Sequence, residues 1–306
     1  MSENKKIIEI KKGEEYKICE IKVNDTDNLF HPSFVNAARG VMEIINYNES
    51  IMNNREKNSE TLNNIIAFCG ERGQGKSSAM LSFSRFLCQG DTNKNLLCSG
   101  LGNNIFHTMD AIDPTRIENK ENIITLILAS MITKFRDKWQ SEDSKYKDRS
   151  KKDMILECFQ KAYQQVNTIK KDDIKDEYDS SLDELIAIGD SADLKATLTE
   201  LVKKYLDFFY EGKSSFLVIQ IDDTDLNIKR AYEIIEDVRK YFVIPRVIVL
   251  MATKIDQLSR AVEQQYRIDF KEMIKVMDEN EFSSMAAKYM DKLIPENRRI
   301  YLPDLR

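Results

Sequence analysis

The sequence predicts an α/β fold, a mainly parallel sheet of five strands covered by helices on both faces. Three observations predict it. Short apolar runs at residues 65–69, 216–221 and 246–252 read as strands buried on both sides, the pattern of parallel sheets. These runs alternate with longer amphipathic stretches, as repeated strand–helix units require. Ten Gly and five Pro in 306 residues are too few for the many tight turns of an all-β chain.

Taken in order, residues 1–60 are expected to form an N-terminal extension. β-branched residues at 7–10 and 18–23 predict one or two edge strands, and 24–28 a polar turn. His31-Pro32 then starts a helix, since proline at the first helical position sacrifices no hydrogen bond. Phe34, Ala38, Val41 and Ile45 recur at helical spacing, and the helix runs towards Asn53 before a polar stretch at 54–63. The core is expected over 61–305. Its first strand, 65–69, is followed by a helix carrying Met80, Leu81, Phe83, Phe86 and Leu87. A loop over 91–104 leads to a second strand, 105–112, closed by Asp113-Pro114, and then to a helix over 123–139. From about 140 to 212 the chain reads as a helical insertion, with amphipathic stretches 154–166 and 194–209. Its charge runs at 141–152 and 170–179 read as solvated faces. Strand 216–221, helix 231–242, strand 246–252, helices 255–265 and 270–293, and a short fifth strand at 300–302 complete the core.

Composition bounds the function classes. The chain carries 46 basic and 51 acidic side chains, a net charge of −5, which argues against a general nucleic-acid coat. No apolar run is long enough to cross a bilayer, and residues 1–12 are charged throughout, unlike a signal peptide. Five widely spaced cysteines show no zinc-finger or redox spacing and are expected as reduced thiols of a cytoplasmic protein. His31 and His107 form no metal or triad pattern and read as structural.

Gly70-Glu71-Arg72-Gly73-Gln74-Gly75-Lys76-Ser77 matches the phosphate-loop pattern GxxxxGK[ST] at every fixed position. The glycines let backbone N–H groups curl around phosphate oxygens without a Cβ in the way. Lys76 places a point charge on the β/γ-phosphates, Ser77 offers a hydroxyl to Mg²⁺, and the following helix directs its positive end at the phosphates. With Ser78, these are the candidate nucleotide-binding residues. The apolar run 216–221 delivers Asp222 and Asp223 at a strand end, where open α/β sheets bind ligands. Asp222 is the candidate Mg²⁺ ligand, and Asp223 the group that polarises the attacking water. Asp225 is a site residue or a helix cap. Thr253-Lys254-Ile255-Asp256 fits the [N/T]KxD box that reads guanine in GTPases. However, it lies much farther from Lys76 than in compact GTPases of the Ras type, and Asp222-Asp223-Thr224-Asp225 lacks a switch glycine. The better reading places Thr253 at the tip of the fourth strand, and ATP is favoured over GTP.

With these elements in order, residues 63–305 resemble the AAA+/STAND superclass of P-loop ATPases, and within it the KAP-type NTPases. Ile221-Asp222-Asp223-Thr224-Asp225 and the tail from Tyr289 to Pro303 carry the closer likeness. The resemblance implies a P-loop NTPase core, Mg²⁺-dependent ATP hydrolysis and a homo-oligomeric ring. It implies that Thr253 senses the γ-phosphate. Arg298 or Arg299, before the fifth strand, would reach the neighbouring subunit's γ-phosphate. Many such ATPases serve bacterial antiphage systems. The similarity extends to the ATPase of the RADAR system, which implies an adenosine deaminase as a possible partner. Two departures stand out: the helical lid expected after the fifth strand is absent or truncated, and the membrane-spanning insertion of some relatives is missing. The alternatives are an ATP-gated assembly scaffold with little turnover and a GTPase using Lys254 and Asp256.

Overall fold

A computed structural model describes residues 21–53, 63–114, 122–140, 149–171, 181–224, 228–271 and 279–304. Five strands, β1 (Ile65–Cys69), β2 (Ile105–Thr108), β3 (Ser215–Ile221), β4 (Val247–Thr253) and β5 (Arg299–Tyr301), form one sheet in the order β2-β3-β4-β1-β5. Every recorded pairing is parallel, with Cys69 opposite Thr253 and Ile221 opposite Met251. The expected five-stranded, helix-flanked sheet is therefore present, a Rossmann-like architecture.

Alternation along each strand divides the core into two faces. Ile66, Phe68, Val218, Ile248, Leu250 and Ile300 point to one side. There they meet α1 (His31–Asn53), α2 (Lys76–Leu87) and α3 (Asp91–Leu97). Ile65, Ala67, Leu217, Ile219, Val249 and Met251 point to the other. That side is covered by α4 (Ile123–Gln140), α5 (Arg149–Lys171), α6 (Ser181–Phe209), α7 (Ile228–Asp237), α8 (Ile255–Asp269) and α9 (Glu279–Leu293). The helices between β2 and β3 thus share a hydrophobic core with the sheet, locked by Phe135 against Phe208 at 4.9 Å between ring centroids. Likewise α1 is a covering layer of the sheet and no detached appendage. Asn28 Oδ1 accepts the Phe30 N–H at 2.9 Å and sets the turn from which α1 departs.

Several expected boundaries change. The loop expected at 91–104 contains α3 and a 3₁₀ turn at Leu101–Asn103. β2 ends at Thr108, and Ile112 makes only an isolated bridge to Ile221, because the chain leaves the sheet edge in between. The helix expected over 231–242 is α7 followed by a π turn at Val238–Phe242. Residues 21–23 take no strand conformation. The strand expected at 7–10, most of the polar stretch at 54–63, Asp225, and most of the charge runs at 141–152 and 170–179 lie outside the described residues. Among the described residues no helix is long and apolar enough to cross a membrane.

Candidate functional site

β1 ends at Cys69 and α2 begins at Lys76, so the glycine-rich segment is the whole connection. Gly73 (φ +85) and Gly75 (φ +79) are left-handed, a conformation that strains any residue with a Cβ. At Gly73 a Cβ would find nothing within 4 Å, so conformation and not space demands glycine there. Gln74 closes the turn on both sides: its N–H donates to the Glu71 carbonyl at 3.3 Å, and its Oε1 accepts the Glu71 N–H at 2.5 Å. Helix α2 has no side-chain cap; its opening turn is fastened by the Ala79 N–H to the Gly75 carbonyl at 2.8 Å. Lys76 is buried, and its Nζ donates to the Glu71 carbonyl at 3.3 Å. Arg72 is exposed, whereas Ser77 and Ser78 are half-buried in the first turn of α2.

Two strands away, β3 ends in the acidic pair. Asp222 Oδ1 accepts the Ser77 hydroxyl at 2.7 Å and the Asp223 N–H at 3.0 Å. The Asp222 N–H donates to the Ile112 carbonyl at 2.9 Å, so the segment after β2 fixes the carboxylate's position. Burial pushes the Asp222 carboxyl above the usual carboxylate range, and Asp113 adds to this. The bonds from Ser77 and Asp223, with Lys76 nearby, pull the other way. Asp223 is left-handed at φ 48, an uncommon conformation for a residue other than glycine. Thr224 then donates from both its N–H and its hydroxyl to the Ala252 carbonyl, tying the acidic turn to β4.

β4 lies between β1 and β3, which puts Thr253 at the strand tip between the glycine-rich loop and Asp222. Thr253 is wholly buried, and its hydroxyl has no hydrogen-bond partner among the described residues. Lys254 reaches back to the loop, its Nζ 2.6 Å from Glu71 Oε2. The chain leaves β1 towards the α1–α3 face and leaves β4 towards α8 on the opposite face. These neighbouring strands therefore flank a topological switch point, where open parallel sheets form their ligand crevice. Cys69, at the same edge, is buried, and burial pushes its thiol up to about 12.

The structure thus gathers the glycine-rich loop, Ser77, Asp222, Asp223 and Thr253 at one edge of the sheet. Arg298 and Arg299 find their partners elsewhere. The Arg298 guanidinium is buried, donating to the Gly40 carbonyl at 2.7 Å and pairing with Glu43 at 3.0 Å. Arg299 pairs with Asp291 at 2.7 Å and Glu296 at 3.0 Å and donates to the Ile294 carbonyl at 2.8 Å. Neither Asp113 nor the Glu71–Lys254 pair is marked as a site feature by any motif in the sequence. The Asp113-Pro114 punctuation hinted at the first, and nothing local signalled the second. No protein-family model matches the chain, and no curated protein matches it either.

Proposed function

We propose that the chain is a Mg²⁺-dependent ATPase of the P-loop class, similar to the AAA+/KAP type. The observation that carries this reading is the 2.7 Å hydrogen bond joining the Ser77 hydroxyl of the glycine-rich loop to the Asp222 carboxylate. It brings together two hard oxygen donors from distant parts of the chain beside a loop shaped for anions. Mg²⁺ is characteristically held by one or two such side chains together with substrate phosphates, so Ser77 and Asp222 fit it. When bound, it would supply Lewis-acid stabilisation of charge on the phosphates. Gly73 and Gly75 open the loop backbone to phosphate oxygens, and Lys76 exchanges the Glu71 carbonyl for them. Asp223 orients the attacking water. The Thr253 hydroxyl, which has no partner among the described residues, would hydrogen-bond a ligand or that water.

ATP is preferred over GTP because Thr253-Lys254-Ile255-Asp256 lies much farther from Lys76 than the guanine-reading box of compact GTPases, and Asp222-Asp223-Thr224-Asp225 lacks a switch glycine. A ring assembly, a role in antiphage defence and an adenosine deaminase partner rest on the resemblance alone. Within a ring, Arg299 would have to exchange Asp291 and Glu296 for a neighbour's phosphate, and Arg298 would have to leave Gly40 and Glu43. Calorimetric titration with ATP·Mg²⁺ tests the core of the reading. Lys76→Ala is expected to weaken binding by about 100-fold, the scale of a charge-assisted phosphate contact. Undiminished affinity in that variant would sink the assignment.

A further inference from the structure

Both lysines of the site are held by one loop residue. Lys76 Nζ donates to the Glu71 backbone carbonyl at 3.3 Å, and Lys254 Nζ donates to the Glu71 carboxylate at 2.6 Å. The second contact bridges the crevice, from the β1–α2 loop to the residue following β4. With side-chain exposures of 29% for Lys254 and 54% for Glu71, it stands largely in water, where an ion pair is worth little and exchanges readily. A carboxylate inside an anion-binding loop repels the ligand that the loop serves. It is tolerated because Lys254 neutralises it, and in doing so it occupies that lysine. Lys254 also follows Thr253, on the side of the loop where Asp222 sits, whereas Lys76 opens α2.

Resting on the nucleotide-binding reading above, we propose that Lys254 is a second phosphate-binding cation and Glu71 its internal competitor. Lys254 leaves the Glu71 carboxylate for the terminal phosphate of a nucleoside triphosphate. A diphosphate, lacking that group, leaves the Glu71–Lys254 pair closed. The pair thereby makes the site selective for the triphosphate, because only a ligand of higher charge at that position displaces the carboxylate.

The test is calorimetric titration with ATP·Mg²⁺ and, separately, ADP·Mg²⁺, using the full chain. The variants are Glu71→Gln, Lys254→Met, the double variant, and Lys76→Ala as control, each checked by thermal melting. Lys254→Gln serves as a second substitution if Lys254→Met melts early. Exchange predicts that Lys254→Met weakens ATP by about tenfold and leaves ADP within twofold. Glu71→Gln tightens ATP several-fold, and that gain disappears in the Lys254→Met background. If both substitutions shift ATP and ADP equally, or the Glu71→Gln gain survives without Lys254, the pair is a passive ion pair and the proposal is overturned. A parent that binds neither nucleotide, or a Lys76→Ala variant that binds as the parent does, removes the nucleotide reading and the exchange with it.

Discussion

The two ends of the sheet hold their polar groups in opposite ways. Where the strands begin, Arg246 is left-handed at φ +62 and fully engaged. Its backbone N–H donates to Asn48 at 2.9 Å, and its guanidinium bonds the Ser215 carbonyl, the Ser215 hydroxyl and Asp207 at 3.0, 2.6 and 2.7 Å. Asn64, one residue before β1, donates to the carbonyls of Phe242 and Val247 at 2.8 and 2.9 Å. These contacts tie α1, α6, β1, β3 and β4 together. Where the strands end, the ammonium groups of Lys76 and Lys254 each have one recorded hydrogen bond, both to Glu71, and the Thr253 hydroxyl has none among the described residues. Polar groups at the start of the sheet are engaged mainly with the fold's own backbone, although Asn64 Oδ1, like the Thr253 hydroxyl, has no hydrogen-bond partner among the described residues. The cations at its end have fewer partners, as the proposed exchange with a nucleotide requires. Parallel sheets favour this asymmetry, because connections that turn to opposite faces of the sheet part at the strands' carboxyl ends and leave a crevice there.

The sharpest way to break this contrast is Arg246→Ala. Removing a three-way guanidinium contact that is only 12% exposed is expected to cost about 3 kcal/mol in chemical denaturation, with ATP affinity unchanged in the folded fraction. Arg246→Lys should recover little, since an ammonium cannot reproduce the fork. A loss of nucleotide affinity with intact stability would erase the distinction between the two edges.

Thr253→Val probes the other edge with a smaller effect of opposite sign. Replacing an unpartnered buried hydroxyl by a methyl group is expected to raise stability by about 1 kcal/mol while slowing ATP turnover. Equal or lower stability in the melting curve would mean that the hydroxyl is satisfied after all.

The smallest effect is pH-dependent. Because burial raises the Asp222 carboxyl in the folded state, its proton is bound more tightly there than in the unfolded chain. The stability it confers is therefore present below the unfolded value, near pH 4, and lost as pH rises through the folded value. Asp222→Asn removes that loss, so its stability gain over the parent should be largest at pH 7 and shrink towards pH 4. A gain independent of pH would assign the effect to something other than the carboxylate's ionisation.

Much of the scaffold was legible locally. Fully buried strands announce themselves as apolar runs, which is why β1, β3 and β4 fell within a residue or so of their expected spans. The helix α3 did not, because Asp91-Thr92-Asn93-Lys94-Asn95 is poor in helix formers. It is held by contacts outside its own sequence: Lys94 to the Asn104 carbonyl at 2.8 Å, and Asn95 Oδ1 accepting the Gly102 N–H at 2.9 Å. Helix α6 begins at Ser181, well before the amphipathic stretch read at 194–209, and α5 likewise outruns its stretch at both ends. For Arg298 and Arg299 the sequence showed two cations before a strand. Their carboxylate and carbonyl partners come from α1, α9 and the turn before β5.

What the chain encodes within a few residues is conformational: glycines that must turn left-handed, a lysine and serine that open a helix, and strands with both faces apolar. Those features fix the loop and the acidic pair as separate pieces. Their meeting depends on the strand order, since any arrangement of equally apolar strands would bury the same side chains. Only the insertion of β4 between β1 and β3 sets Thr253 between the two pieces. Assembly of that sheet also brings Ser77 to Asp222 across 145 residues and Lys254 to Glu71 across 183.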